Sequence, residues 1–412
     1  MAEQASFIFY GVVEDDYAGD PEVGAGLSAA PYGYAQGETV GGRLTLTEQG
    51  TAAYLHLQAY ETSDWFPAEW IADFTFERAQ IGDFNEGDIH PSALLNLASN
   101  GTDLSLTDLH ISLRRDLPGG DHVMTASQAR YGGVLMSDGA LGDYGDRLLI
   151  AGAWLPSDIT PTLIYGGDAA DVLTGQGEVS LVWGGLGNDV ISFGSGAGYG
   201  WGGQGNDTLR GGDEEDQLWG GLGDDSVQGR GGADHLHGLW GDDTLSGGDG
   251  DDTLDGGRGA EDGSHGRDVL RGDAGNDLLI GHSDSADTLL GGAGDDVILS
   301  SGGYPSEMSF ADGGTGDDLL VAHLGGARLK GGGGYDVFEV TPYGETVIED
   351  FKPRVDRIDL IDDNIRWDTF QELMTFARQD GAHVVFEFDR PDTTITLRNT
   401  QLTDLRSADF IF

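Results

Sequence analysis

Gly184-Gly185-Leu186-Gly187-Asn188-Asp189-Val190-Ile191-Ser192 is a nine-residue phrase, Gly-Gly-x-Gly-x-Asp-x-(apolar)-x, that recurs along residues 166–339, with clear copies at 202–210 and 247–255. The glycines admit the positive-φ turn that points backbone carbonyls inward. Gly184, Gly202, Gly220 and Gly247 open such turns, and Gly187, Gly205, Gly223 and Gly250 close them. The Asp brings a hard carboxylate oxygen of the kind calcium takes, and the apolar residue two places on enters a strand and points into a core. A nonapeptide of this composition is the sequence mark of a calcium-binding parallel β-helix.

Laying the chain out in nines gives about nineteen slots, two of which make one turn, of about 18 residues, in a flattened right-handed roll with parallel strands on both faces. The slots fall into two rows. The first carries Asp171, Asp189, Asp207, Asp225, Asp243, Asp268 and Asp287 at the acidic position. The second begins with Ser180 and Gly198, which cannot replace a carboxylate, and continues with Asp216, Asp234, Asp252, Asp277, Asp296, Asp318 and Asp336. Successive loops of one row should lie about 4.8 Å apart and share cations between them, roughly six per row, so that up to about twelve calcium ions are expected. Inserts at 261–265, near Ser283 and at 301–311 interrupt the period. The apolar position holds Leu173, Ile191, Leu209, Val227, Leu245, Leu270 and Leu289 in one row, and Leu218, Leu236, Leu254, Leu279, Ile298, Leu320 and Phe338 in the other. A flexible linker would not keep that position in phase through so many copies.

Charge sharpens the reading. The net charge is -51, with 72 acidic against 21 basic residues, which argues against nucleic acid and anionic membrane as partners and makes divalent cations the natural counter-charge. Stacked carboxylates about 5 Å apart repel by roughly 0.8 kcal/mol per pair in water, so a dozen pairs cost about 10 kcal/mol, as much as a whole domain's stability. The roll should therefore fold only where calcium is plentiful, and a dozen ions would cancel about +24 of the charge. The chain has no Cys, which excludes disulfides and thiolate metal sites and suits a polypeptide exported unfolded. Met1-Ala2-Glu3-Gln4-Ala5-Ser6 shows no basic stretch followed by an apolar core, so no Sec-type leader is expected, and no apolar run approaches the roughly 18 residues of a membrane span.

These repeats resemble those of the RTX family of calcium-binding proteins, and the likeness covers residues 166–412. The resemblance implies secretion to the cell exterior through a type I secretion apparatus, using an uncleaved C-terminal signal. Tyr335-Asp336-Val337-Phe338-Glu339-Val340, Thr346-Val347-Ile348-Glu349-Asp350-Phe351 and Asp356-Arg357-Ile358-Asp359-Leu360 look like the segment that closes the roll in serralysin-type C-terminal domains. A short amphipathic helix at 367–378 and strands at 384–388 and 394–397 follow. The ending Ala408-Asp409-Phe410-Ile411-Phe412 is similar to the acidic-then-apolar terminus of many such exported proteins. This piece should also cap the open end of the roll, whose last strands would otherwise present unpaired edges.

Residues 5–160 lack the nonapeptide. Short alternating strands at 6–13, 43–47, 52–60, 71–76 and 148–153, punctuated by Gly, Pro and Asp, suggest an antiparallel sandwich, with one helical stretch at 91–98. The expected all-β organisation is thus a sandwich-like domain over 1–163, a parallel β-roll over 164–340, and a β-rich cap with export signal over 341–412.

Two further features bear on function. No His-Glu-x-x-His occurs, and Gly281-His282-Ser283-Asp284-Ser285 lacks the last glycine of a nucleophile elbow and reads as a bulge in the roll. His90, His110 and His122, among Asp88, Asp108, Asp116 and Asp121, match no catalytic spacing and read as surface residues of an acidic protein. No catalytic residue is therefore assigned. Trp183, Trp201 and Trp219 stand 18 residues apart at the last position of successive slots, followed by His237, and should form an outward-facing ladder. Such a ladder needs cover from the front domain or residues 154–165, or else offers a platform to sugar rings or another protein. The sequence points to a secreted or cell-surface calcium-binding protein of structural or adhesive role, with surface polysaccharide or self-association as candidate partnerships. An extracellular hydrolase with its site in the front domain, or a glycan-binding module using the Trp ladder, are the alternatives.

Overall fold

The computed structural model describes residues 159–257, 266–282, 286–301, 308–323, 326–341, 344–361, 369–388 and 393–411, together with the backbone pairing of nine strands within 4–156. Two compact units divide the chain between Tyr165 and Gly166.

In the first unit the nine strands form one antiparallel sheet, in which Gln4–Glu14 lies between Thr39–Gln49 and Arg147–Pro156. The five strands expected here are all present, as Gln4–Glu14, Thr39–Gln49, Ala52–Tyr60, Ile71–Glu77 and Arg147–Pro156. The expected helix at 91–98 is not: Ala93–Ser99 is a strand paired antiparallel with Leu104–Leu117. Leu94, Leu95 and Leu97 have high helix propensity, and pairing to a long neighbouring strand overrides that weak local preference. The side chains of His110, His122, Asp108, Asp116 and Asp121, and His90 and Asp88 altogether, lie outside the described residues.

The second unit is a parallel β-solenoid. Its two sheets, of 12 and 13 strands among the described residues, take alternate strands of the chain as far as Arg357–Leu360, as a flattened roll requires. Pairing runs at one turn, so that Ile191 lies beside Leu209, Leu209 beside Val227, and Val227 beside Leu245. The inserts do not break this register: Leu245 pairs with Leu270, and Leu289 with Ala311, although the intervening residues 258–265 and 302–307 lie outside the description. Each turn sends one central side chain inward from each sheet. Ile191, Leu209, Val227, Leu245, Leu270 and Leu289 on one side, and Leu218, Leu236, Leu254, Leu279, Ile298, Leu320 and Phe338 on the other, are completely buried. At about 25 cal/mol per Å² of apolar surface this thin core contributes a regular increment per turn.

The C-terminal region extends both sheets. Glu345–Ile348, Arg357–Leu360 and Thr394–Leu397 continue the parallel ladders, and Phe410–Ile411 pairs with Arg357–Leu360 as the outermost strand of its sheet. The expected helix shrinks to Phe370–Leu373, capped by the Thr369 hydroxyl, and Ala377–Asp380 is instead a strand of an antiparallel hairpin with His383–Glu387.

Candidate metal centre

Each Asp of the repeat is fixed by the turn before it. One carboxylate oxygen, Oδ1, accepts the backbone N–H of the preceding Asp of the same row: Asp171 N–H donates to Asp189 at 2.7 Å, Asp189 to Asp207 at 2.7 Å, and Asp207 to Asp225 at 2.7 Å. The second row repeats the arrangement from Asp216 through Asp234, Asp252, Asp277, Asp296 and Asp318 to Asp336. Across the seven-residue lengthening before Asp268, the Asp243 N–H still reaches Asp268 Oδ1 at 2.9 Å.

The other oxygen, Oδ2, faces inward. In Asp189, Asp207, Asp225 and Asp243 of the first row, and in Asp234, Asp252, Asp277, Asp296 and Asp318 of the second, it is buried and has no hydrogen-bond donor. Its neighbours are oxygens and bare backbone. A Cβ placed on Gly184 would lie 2.3 Å from Asp189 Oδ2 and 2.4 Å from the Gly202 carbonyl oxygen, and one on Gly202 would meet Asp207 Oδ2 and the Gly220 carbonyl, each at 2.4 Å. The same holds at Gly220 with Asp225 and the Gly238 carbonyl, and a Cβ on Gly247 would lie 2.1 Å from Asp252 Oδ2. Only glycine leaves this gap, in which a carboxylate and a carbonyl of the next turn converge. Gly187, Gly205, Gly223 and Gly250, with φ of 117°, 127°, 123° and 143°, provide the left-handed residue that closes each loop.

Buried acceptors with no donor are uncommon in native proteins because each forfeits its solvation. Here the charge responds. Burial pushes Asp225 and Asp268 up to about 9, Asp207, Asp234, Asp243 and Asp296 to about 7, and Asp216, Asp252, Asp277, Asp318 and Asp336 to about 6, against the lowering effect of backbone N–H bonds. Neighbouring carboxylates add to the rise; Asp243 and Asp207 act on Asp225 in this way. An all-oxygen donor set of carboxylates and carbonyls, with room closed to side chains, fits a calcium ion between successive loops. Asp171 and Asp287 stand at the first row's two ends, where Asp287 N–H donates to the Ser309 hydroxyl at 3.2 Å in place of a carboxylate.

The second row ends differently. At its start Ser180 and Gly198 lack the carboxylate, and Phe193 fills the space: a Cβ on Gly198 would lie 2.4 Å from its ring, one on Gly175 2.5 Å and one on Gly200 3.0 Å. Asp216, the first carboxylate, turns Oδ2 to its own loop and accepts the Gly212 N–H at 2.6 Å. At the far end Asp356, which the spacing of glycines does not reveal, extends the row, accepting the Asp336 N–H at 3.3 Å and the Lys352 N–H at 2.7 Å. Asp350 accepts the N–H groups of Gly331 and Gly332, and Asp409 those of Arg354 and Arg406. The signal for Asp356 was the surviving Asp-x-apolar step to Ile358; Asp350 and Asp409 carry none.

An outer ladder supports the inner one. Asn188 accepts the Asn206 N–H, Asp224 the Asp242 N–H, Asp242 the Arg267 N–H, and Asn276 the Asp295 N–H. These residues directly precede the inner Asp and hold the loops in register from the solvent side.

The Trp ladder forms with the expected stacking. Trp183, Trp201 and Trp219 stack with centroids 5.0 Å apart, and His237 follows at 5.8 Å. Alternation puts them on the outer face of the sheet, yet the three indoles are buried, Trp183 completely, as is Leu181 beside it. Beyond the ladder, Asp255 accepts from His282 Nε2 at 2.7 Å and lies 3.9 Å from His237 Nδ1, while burial pushes His237 down to about 4. Ser283, Asp284 and Ser285 lie outside the described residues.

Comparison with known proteins agrees with the geometry. Residues 165–199, 201–236, 228–260, 262–298 and 283–304 match the family model described as RTX calcium-binding nonapeptide repeat (4 copies). No curated protein matches the chain. Among 13 matching chains of solved structures is the crystal structure of the extracellular lipase LipA from Serratia marcescens, with 17% identity and a TM-score of 0.20. The match covers 51% of this chain and 40% of that one, so the chain spans less than half the length of that structure.

Proposed function

We propose, for a chain whose solenoid carries RTX calcium-binding nonapeptide repeats, that it is an extracellular protein whose roll folds on binding calcium and serves a structural or adhesive role. The observation that carries this reading is the file of buried Oδ2 atoms without donors, with those of Asp189, Asp207, Asp225, Asp234 and Asp243 beside a backbone carbonyl of the next turn. Calcium, when bound, supplies the positive charge that this oxygen set lacks. The chain's own groups do the rest: Oδ1 and the outer Asx ladder fix the spacing, the glycines keep the gap free of side chains, and the central apolar residues hold the two sheets together.

In a calcium-poor cytosol the same carboxylates oppose one another, which keeps the chain extended for export, and the absence of Cys removes any covalent trap. Export by a type I apparatus with a signal in 341–412, and up to about twelve ions in the folded roll, belong to this proposal. Surface polysaccharide or a second copy of the chain are the partners that suit a long acidic roll joined to an antiparallel sheet. The test is circular dichroism and thermal melting with calcium and with a chelator. Loss of β signal and of the melting transition on chelation is expected; identical spectra and melts would refute calcium-driven folding. Electron microscopy of the calcium-loaded protein then reads the role: ordered sheets or filaments support it, and uniform monomers count against it.

A further inference from the structure

The chain has only two lysines, Lys330 and Lys352, and both lie at the far end of the roll. Lys330 pairs with Asp312 at 2.7 Å, on the outer side of the sheet. Lys352 is placed otherwise. Its loop, Phe351-Lys352-Pro353-Arg354-Val355-Asp356, is a repeat loop from which every glycine has gone. Asp356 accepts the Asp336 N–H as Asp336 accepts that of Asp318, each at 3.3 Å. Arg357 N–H bonds to the Asp336 carbonyl at 2.8 Å, as Val337 does to Asp318. Arg354 holds φ of 72° at the position where Gly334 has 140°.

Lys352 thus stands where the other loops have their second glycine. In the interior of the roll the carbonyl of that second residue points at its counterpart one turn on: a Cβ on Gly203 would lie 2.1 Å from Gly185 O, one on Gly314 2.1 Å from Gly292 O, and one on Gly332 2.1 Å from Gly314 O. Gly332 O is the next carbonyl of this file, and the residue it faces is Lys352. The lysine side chain folds back so that Nζ donates to Gly332 O and lies 4.0 Å from Asp336 Oδ2, a carboxylate whose side chain is fully buried. Elsewhere an inward Oδ2 stands beside a first-glycine carbonyl; here the ammonium reaches an inward Oδ2 of the same kind together with the carbonyl of the second loop residue.

We propose that the Lys352 ammonium is the built-in cation of the last inter-loop site of the second row, so that no calcium ion binds between loops 331–336 and 351–356. The inference rests on the calcium reading of the other loops. An ammonium is a compact charge with three donors on a flexible stem; here it donates to one carbonyl and offsets the charge of one carboxylate from 4.0 Å without hydrogen-bonding it, where calcium would demand six to eight oxygens. Phe351, buried and edge-on to Phe338 at 6.2 Å, closes this end as Phe193 closes the other.

Crystals of the wild-type protein grown with calcium, read by anomalous scattering, test this directly. Peaks are expected between internal loops, beside Asp234 and Asp252, with none within coordination distance of Gly332 O and Asp336 Oδ2. A calcium peak at that last position would overturn the proposal, whereas an absence of peaks at every loop would instead overturn the calcium reading itself. Native mass spectrometry adds a second measurement. Lys352→Met and Lys352→Gly should each bind one more calcium ion than wild type, and Lys352→Arg the same number; folded Met and Gly variants with unchanged stoichiometry would sink the idea. Should those variants not fold, the wild-type crystals decide alone.

Discussion

A buried carboxylate oxygen without a donor can be satisfied by a proton or by a cation, and the inward Oδ2 atoms of this roll face that choice at every turn. The folded, metal-free carboxyls titrate above the unfolded value of 3.8, at about 6 for Asp252 and Asp277, about 7 for Asp207 and Asp234, and about 9 for Asp225 and Asp268. A raised folded pKa means that the fold binds protons more tightly than the open chain does. Whatever stability the metal-free roll has is therefore greatest below about pH 4 and is lost as pH rises from there through about 9. Calcium competes for the ionised form, so its affinity should run the opposite way. We expect the calcium concentration at half-folding to fall steadily between pH 5 and pH 8, and calorimetry in buffers of different ionisation enthalpy to show proton release on binding; a pH-independent midpoint would contradict this. At this scale the acidic positions were legible because Asp recurs in phase. Lys352 and Asp356 were not, because their loop keeps the backbone path of a repeat while replacing each glycine that marks it.

At the scale of the loop and strand, the second row shows what happens where the metal pattern lapses. Position one of a metal loop must be glycine, since a Cβ would collide with Oδ2, but once Gly198 replaces the Asp there is room for the whole Phe193 ring. The two substitutions are complementary: an apolar plug stands in for an ion. Phe193→Ala should leave a cavity among Gly175, Gly198 and Gly200 and lower the stability of the calcium-loaded roll by about 3 kcal/mol or more, measured as a shift in denaturant midpoint. Gly198→Asp on its own should also destabilise, because its Cβ meets the ring. The alternation of the strands was readable from sequence and correctly put Trp183, Trp201 and Trp219 on the sheet's outer side. Alternation does not say what covers an outer side, and burial there makes the ladder part of the packed structure. Trp201→Ala should accordingly cost about 3–5 kcal/mol, and an unchanged melting curve would argue that the indoles are exposed after all. In the front unit the same limit appears as Ala93–Ser99, where leucine-rich local preference suggested a helix and cross-strand pairing makes a strand.

Across the whole molecule, periodicity made the repeat turns legible, since a nine-residue pattern fixes turn length, strand direction, core positions and row membership together; the core positions Ala311 and Leu329 and the ladder strands after Val340, where the pattern lapses, were not. The front unit has no such redundancy, and only five of its nine strands were anticipated. The charge of -51 is spread over a chain whose roll gathers its carboxylates into two files. Chelation should therefore expand as well as unfold it, and small-angle scattering is expected to show a marked rise in radius of gyration that calcium reverses. The parallel winding of the roll has a mechanical side too. Hydrogen bonds between turns run along its long axis, and among the described residues Phe410–Ile411 faces Arg357–Leu360 at two pairs, Ile358 with Phe410 and Asp359 with Ile411. Tension applied at Ile411 acts on one rung at a time, so the roll pays out like thread from a bobbin instead of resisting as a block. Single-molecule stretching in calcium should record a staircase, each tread releasing about 60 Å of chain for a turn of about 18 residues, which would make the roll an extensible tether whose stiffness is set by the surrounding calcium.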